Sequence, residues 1–205
     1  MITVREATKQ DIEAIVRIHE QAFPSFFLTK LGSAFLQLYY KSVMMHSDGV
    51  LLVCKKDDMP IGLCAGTILS TGFNKRLIKA NFLQYSIESL KLLLSKPKSL
   101  IHLIKNMSKE DPSVGDNGEY AELLSIAVDP TVQRSGAGKA MLLELENEIR
   151  EKGGKKLSLT TDYANNEKTM GFYKSLGYNE WYDFTTYPNP RMWRLLKHLK
   201  ELSKE

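Results

Sequence analysis

The sequence predicts a mixed α/β (α+β) fold, with about seven strands in a central sheet flanked by helices. Three observations carry it. Seven short apolar runs, each bounded by turn residues, alternate along the chain with segments of helical periodicity. Leu123–Lys152 reads as a strand, a glycine loop and a long helix in succession. The composition, 43% apolar and 25% charged over 205 residues, suits one well-buried domain spanning 1–205 and is short for two.

Taken in order, Ile2–Ala7 is the first strand. Thr8 stands at an N-cap position, with Asp11 near the positive end of the helix dipole. Ile12, Ile15, Val16, His19, Ala22 and Phe23 recur at helical spacing up to Pro24, so His19 reads as a packed histidine. A second helix is expected over Lys30–Met45, with Leu31, Ala34, Phe35, Leu38, Tyr39 and Ser42 inward. The aromatic connection Phe23–Leu28 reads equally as a pocket wall or as a plug between helices. Val50–Lys55 and Ile61–Leu69 form an antiparallel hairpin about Lys56–Pro60. Gly62 and Gly66 mark a weakened stretch or a close approach by another group.

Thr71–Gly118 is too long for a structureless loop in a compact domain. Phe82, Tyr85, Ser86, Ser89, Leu90 and Leu93 predict one helix in it. Leu100, Ile101, Leu103, Ile104 and Met107 predict another after Lys96-Pro97, and Asp111–Gly118 is a loop. The segment is a helical insertion (about 71–118) between the third and fourth strands.

The fourth strand, Glu119–Val128, is broken by Asp129-Pro130, because proline has no N–H for a ladder. After the glycine loop a helix runs to about Lys152, with Met141, Leu142, Leu145 and Ile149 on one face. Gly153-Gly154 ends it. Lys156–Thr161 is the fifth strand, and Asn165 or Asn166 caps a short helix to about Ser175, closed by Gly177. Tyr178–Phe184 and Arg191–Lys197 are the last strands, joined by Tyr187-Pro188-Asn189-Pro190. Lys200–Glu205 is a frayed tail.

Strand, glycine loop and helix aim free backbone N–H groups at an anion. Gly136-Ala137-Gly138-Lys139 is not the end of a P-loop. The position five before Gly138 is Gln133 rather than glycine, and Ala140 stands where Ser or Thr would hold Mg²⁺. The G-x-G-x-x-G dinucleotide fingerprint is missing too. The loop does fit Q/R-x-x-G-x-G/A, as Gln133-Arg134-Ser135-Gly136-Ala137-Gly138. It resembles the acetyl-CoA pyrophosphate loop of the GNAT superfamily of N-acetyltransferases. Asn166, Phe172-Tyr173 and Leu176-Gly177-Tyr178 are similar to that family's N-x-x-x-x-x-F-Y-x-x-x-G-F/Y segment. The two blocks stand in the family's order, and the resemblance covers roughly Glu119–Tyr182. The long link Thr71–Gly118 departs from it.

The resemblance implies a mostly antiparallel sheet splayed between strands four and five, with acetyl-CoA as cosubstrate. Its pyrophosphate would lie on the loop Gln133, Arg134, Ser135, Gly136, Ala137, Gly138 and Lys139, chiefly on backbone N–H groups. The main chain at Ile126 and Val128 would pair with the pantetheine arm and polarise the acyl carbonyl. Asn166 would bond the arm, cap its helix, or both. Tyr173 would protonate the departing thiolate, the alternative being a core tyrosine. Candidate bases are Glu122, then Asp162, then Glu119, with a water chain as a further route.

The acceptor implied is a primary amine. Lys75–Lys109 holds eight basic residues and one acid, a net +7 within a chain of +4, which points to a small anionic acceptor such as a nucleotide-linked amino sugar. A peptide or protein amine is the alternative, and a non-catalytic acyl-CoA-binding module is a rival of another class. The insertion also offers a lid, a self-association surface or a peripheral membrane contact, so monomer and homodimer both stay open. Nucleic acid is not an expected partner, since the basic segment is Leu- and Lys-rich without arginine clusters. No His, Cys or carboxylate set has metal-ligand spacing, so no metal is expected. Cys54 and Cys64 read as small buried hydrophobes. The absence of a signal-peptide pattern and of a long apolar span gives the expectation of a cytoplasmic enzyme.

Overall fold

The chain runs β1 (Ile2–Glu6), α1 (Ile12–Ala22), α2 (Phe27–Leu31), α3 (Ser33–Met45), β2 (Gly49–Lys56), β3 (Met59–Thr67), α4 (Phe73–Ala80) and α5 (Phe82–Ser95). It continues with β4 (Ala121–Val128), α6 (Ala137–Glu151), β5 (Lys156–Asp162), α7 (Glu167–Ser175), β6 (Asn179–Thr185) and β7 (Arg191–His198). The structure is a computed structural model and describes residues 1–98, 101, 105, 112–132 and 135–200. The seven strands form one sheet in the order β1-β2-β3-β4-β5-β7-β6. Every neighbouring pair is antiparallel except β4–β5, which is parallel. This is the mixed, mostly antiparallel sheet that the family resemblance implies.

Period-two alternation sends the sheet's apolar residues to two faces. Leu51, Val53, Leu63, Ala65 and Ala127 pack with α1, α3, α4 and α5. Leu52, Cys54, Cys64, Leu123, Leu157, Leu159 and Leu195 pack with α6 and α7. Each leucine fully buried this way stabilises the fold by about 1.5–3 kcal/mol. Both cysteines are free and buried. At the start of α1 the Asp11 carboxylate accepts from the Thr8 N–H at 2.8 Å and from two nitrogens of Arg5 at 2.9 Å.

The helix expected over Lys30–Met45 is two helices. Gly32 breaks it with φ +99°, a conformation that costs an L side chain but not glycine. The buried face of α3 is accordingly Phe35, Leu36, Tyr40 and Val43, while Ala34 is exposed and Tyr39 half-buried.

Within the insertion, α5 matches the expected helix. α4 is one that the periodicity does not predict, because just two of its residues, Phe73 and Leu77, are buried. These two, with Tyr85 and Leu92 of α5, join the core around α3. Phe35 and Tyr85 meet edge to face at 5.8 Å. The second helix expected at Leu100–Met107 lies largely outside the described residues, as do Asp111 and 201–205.

The chain returns from the insertion through a buried polar cluster. Asp116 is fully buried and accepts from the Gly118 N–H at 2.9 Å and from the hydroxyls of Tyr120 and Tyr182. Arg194, also fully buried, lies 3.6 Å from Asp116 and donates to Glu122 at 2.9 Å. Ser70 donates to the other Glu122 oxygen at 2.6 Å. Removing one partner of such a buried set leaves uncompensated charge. Arg194→Met is expected to lower unfolding stability by about 3–5 kcal/mol in urea titrations. A loss under about 1 kcal/mol would show that solvent reaches the cluster and screens it.

Candidate active site

β4 and β5 pair only over Ala121–Leu123 with Leu157–Leu159. β4 nevertheless stays on β3 as far as Val128, and β5 stays on β7 as far as Asp162. The two central strands therefore part after Leu123 and Leu159. They leave a wedge walled by Leu124–Val128 and Thr160–Asp162. A bulge sits where they part: Gly66 faces Leu123, Ala65 faces Ser125, and Leu124 is the extra residue. Bulges bend a strand and increase its twist. Main-chain groups of β4 that point into the wedge lack a ladder partner there, so they are free to bind an inserted extended group.

α6 begins beyond the mouth of the wedge. Gly136 precedes it at φ +83°, and among the described residues nothing beyond its chain neighbours lies within 4 Å of where its Cβ would stand. The first intrahelical bond runs from the Ala140 N–H to the Gly136 carbonyl at 3.0 Å. The amides of Gly138 and Lys139 come earlier in the helix and have no intrahelical acceptor. Among the described residues the Ala137 N–H makes only a long 3.4 Å contact to the Ser135 hydroxyl. No acid occupies the first turn, and Lys139 is exposed. Open donors, a positive dipole end and a lysine are features that favour an anion there. Gln133 and Arg134, which the motif adds to this loop, lie outside the described residues.

Tyr173 on α7 is 6% exposed, and its hydroxyl has no hydrogen-bond partner among the described residues. Burial raises its pKa well above that of an ordinary phenol. Asn166 holds the N-cap position of α7 but makes no capping bond. Its side-chain NH₂ donates instead to Thr161 Oγ1 and to the Asp162 carbonyl, both at 2.7 Å, tying α7 to the end of β5. Its side-chain oxygen stays available as an acceptor. Ile126 and Val128 are half-buried on the α6 face of the wedge wall.

The three candidate carboxylates differ. Glu122 is buried, with one oxygen on Arg194 and the other on Ser70. Asp162 is exposed at the open end of β5, and its carboxylate has no partner among the described residues. Alternation along β5 puts it on the face opposite α6, since Leu157 and Leu159 face α6. Glu119 is exposed and precedes β4.

Sequence reasoning missed a polar chain on that same face. His19 Nδ1 lies 2.6 Å from the Tyr40 hydroxyl, which reaches the Ser125 hydroxyl at 3.4 Å. Ser125 follows the bulged residue on the wedge wall. His19 is fully buried among Phe23, Phe26 and Tyr40, and its Nε2 has no hydrogen-bond partner among the described residues. Burial alone drops its pKa to about 4, so the ring is neutral at pH 7. The adjacent Tyr39-Tyr40 pair was the available signal, and the shift of register at Gly32 hid it.

The family model described as Acetyltransferase (GNAT) family matches residues 12–178. The mycothiol acetyltransferase of Kocuria rhizophila is 33% identical over 75 residues, which are 37% of this chain and 24% of that protein. The [ribosomal protein bS18]-alanine N-acetyltransferase of Escherichia coli K12 is 43% identical over 62 residues, 30% of this chain and 41% of that one. The matches thus span well under half of either relative. Among solved structures, an N-acetyltransferase from Staphylococcus aureus Mu50 superposes with a TM-score of 0.65 at 15% identity, covering 98% of this chain and 99% of that one. A PaiA N-acetyltransferase from Thermoplasma acidophilum, in complex with coenzyme A, gives 0.59 at 15% identity, covering 97% and 99%. These likenesses show the fold.

The buried histidine gives a pH dependence with a definite sign. Its folded pKa of about 4 lies below an unfolded value of about 6.5, so the unfolded chain binds more protons between them. The stability it carries is complete above about pH 6.5 and is lost as pH falls toward 4, on the order of 3 kcal/mol in all. His19→Gln is expected to flatten this part of the profile. Urea midpoints of both proteins between pH 7 and 4.5 are the check, and parallel profiles would rule out His19 as the source.

Proposed function

The chain belongs to the GNAT family of acetyltransferases, and on that premise we propose that it transfers an acetyl group from acetyl-CoA to a primary amine. The observation that carries this reading is the wedge between β4 and β5, opening toward an anion site at the start of α6. Acetyl-CoA supplies an acyl thioester whose leaving group is a thiolate. Ser135, Gly136, Ala137, Gly138 and Lys139, with the neighbouring Gln133 and Arg134, hold its pyrophosphate. The unpaired main chain at Ile126 and Val128 takes the extended arm and turns an N–H toward the acyl carbonyl. The Asn166 side-chain oxygen accepts from an amide of the arm.

Tyr173 is the proton donor to the thiolate in this reading. Its buried phenol stays protonated at neutral pH, and its hydroxyl is not engaged elsewhere among the described residues. Asp162 is the base, directly or through water, because its carboxylate is exposed and lies on the face where Tyr40 and Ser125 line the wedge. Glu122 already accepts with both oxygens and serves as a clamp between β4 and β7.

For the acceptor the reading is a small anionic amine. Phe23, Phe26, Tyr39 and Tyr40 border that side, and the insertion reaches the β6–β7 turn at Lys105, whose Nζ lies 4.2 Å from the Tyr187 ring centre. An aromatic border beside a basic insertion favours a small molecule with negative charge. The second reading, the terminal amine of a polypeptide, is favoured by the likeness to the bS18-alanine enzyme.

A panel of amines, from nucleotide-linked amino sugars to peptides with N-terminal alanine, tests the reading through thiol release from acetyl-CoA. Tyr173→Phe is expected to lower turnover about a hundredfold or more without changing acetyl-CoA affinity. Gly136→Asp sets a carboxylate at the helix start and is expected to weaken acetyl-CoA binding at least about tenfold in calorimetry. Tight binding with no turnover on any amine would overturn the transferase reading in favour of an acyl-CoA-binding module.

A further inference from the structure

The outer face of the insertion is apolar where solvent should favour polar groups. α5 buries Tyr85 and Leu92. Phe82 (68%), Leu83 (68%), Ile87 (49%), Leu90 (59%), Leu93 (55%) and Leu94 (82%) are exposed. At 3.6 residues per turn these six fall within an arc of about 140°, on the side away from Tyr85 and Leu92. Leu83, Ile87, Leu90 and Leu94 make a continuous ridge along it. Scattered surface leucines are ordinary, but a contiguous set of this kind marks an interaction site.

The charge carried by α4, α5 and the residues just beyond is almost all positive. Lys75 and Lys79 on α4, Lys91 on α5 and Lys98 just beyond it are exposed. Lys96 is exposed too, with its Nζ on the Lys30 carbonyl at 2.9 Å. Glu88 is the one acid between Lys75 and Lys98, and Lys91 pairs with it at 2.7 Å. We propose that α5 lies flat on an anionic lipid surface, its leucine ridge at the boundary of headgroups and acyl chains and the flanking lysines on the headgroups.

Three arguments favour lipid over protein. A second copy of the chain would bring the same positive charge within a Debye length of the first. An exposed helix face is convex, so a protein partner would need a matching groove, whereas fluid hydrocarbon needs none. The helix is also held to the core on its opposite side by Tyr85 and Leu92, so it presents the ridge without unfolding. Its 14 residues are too few to span a bilayer, and no helix among the described residues is long and apolar enough to cross one, which leaves an in-plane contact.

Vesicle flotation tests this independently of any acyl transfer. The full chain is mixed with phosphatidylcholine vesicles, with and without about 30% phosphatidylglycerol, at about 50 and 500 mM salt. Partitioning onto the anionic vesicles is expected to exceed that onto neutral ones at least about tenfold and to fall at high salt. Leu83→Glu with Leu90→Glu is expected to abolish it. Leu94→Gln, a milder change at the most exposed position, is expected to reduce it at least about threefold, with the far-UV spectrum unchanged. The proposal is overturned if the wild type does not float, or if it floats and neither variant changes that. It is equally overturned if light scattering finds a dimer that the double variant converts to monomer, because the ridge is then a self-interface.

Discussion

One guanidinium holds together a sheet that opens down its middle. Arg194 on β7 reaches Glu122 on β4, Ser158 on β5 and Asp116 at the end of the insertion. Glu122 and Ser158 are register partners in the three-pair stretch where β4 and β5 still touch. The clamp therefore sits at the vertex of the wedge, one residue before the strands part. Beyond it no backbone ladder joins the two halves of the sheet. A buried cation is costly unless its partners are placed beforehand. Here Tyr120 and Tyr182 donate to Asp116 and Ser70 donates to Glu122, so both carboxylates are held before Arg194 meets them.

The bulge at Leu124 decides what the wedge wall presents. Leu123 and Ile126 face α6, while Leu124 and Ala127 face α1 and α3. With regular alternation through Leu124 and no bulge, Ser125 would fall on the α6 face, away from Tyr40. One irregularity thus bends the strand out of its ladder and also delivers a hydroxyl to the side of His19 and Tyr40. The α6 side is left to hydrophobic packing and the anion site. On the proposed reading, cosubstrate and acceptor approach the same strand from separate directions.

Much of this was legible in the sequence, for local reasons. Strands announce themselves by alternation and turn residues, and Gly136 announces the start of a long apolar-faced helix. What depends on distant partners did not show. Glu122 looks the same in sequence whether its carboxylate is free or paired, and Arg194 lies 72 residues away. Asp116 sits in a stretch that reads as a polar loop, yet it is fully buried. Asn166 holds the expected cap position, but its side chain turns back to β5 because Thr161 and the Asp162 carbonyl lie within reach. Gly32 was visible as a helix breaker, and the apolar periodicity running through it concealed the break.

The glycines of β3 matter for how α6 is seated. A Cβ at Gly62 would stand 2.8 Å from Met141 Cε, and one at Gly66 would stand 2.8 Å from Leu145 Cδ1. The two glycines thus leave room on β3 for two side chains one turn apart on α6, Met141 and Leu145. Two such contacts hold the helix close against the strand. Its first turn is thereby kept at a set distance from the bulge in β4. The pair works as a spacer gauge: on the proposed reading, an elongated cosubstrate held at one end by the helix amides meets the parted strands at a length set by the seat of the helix.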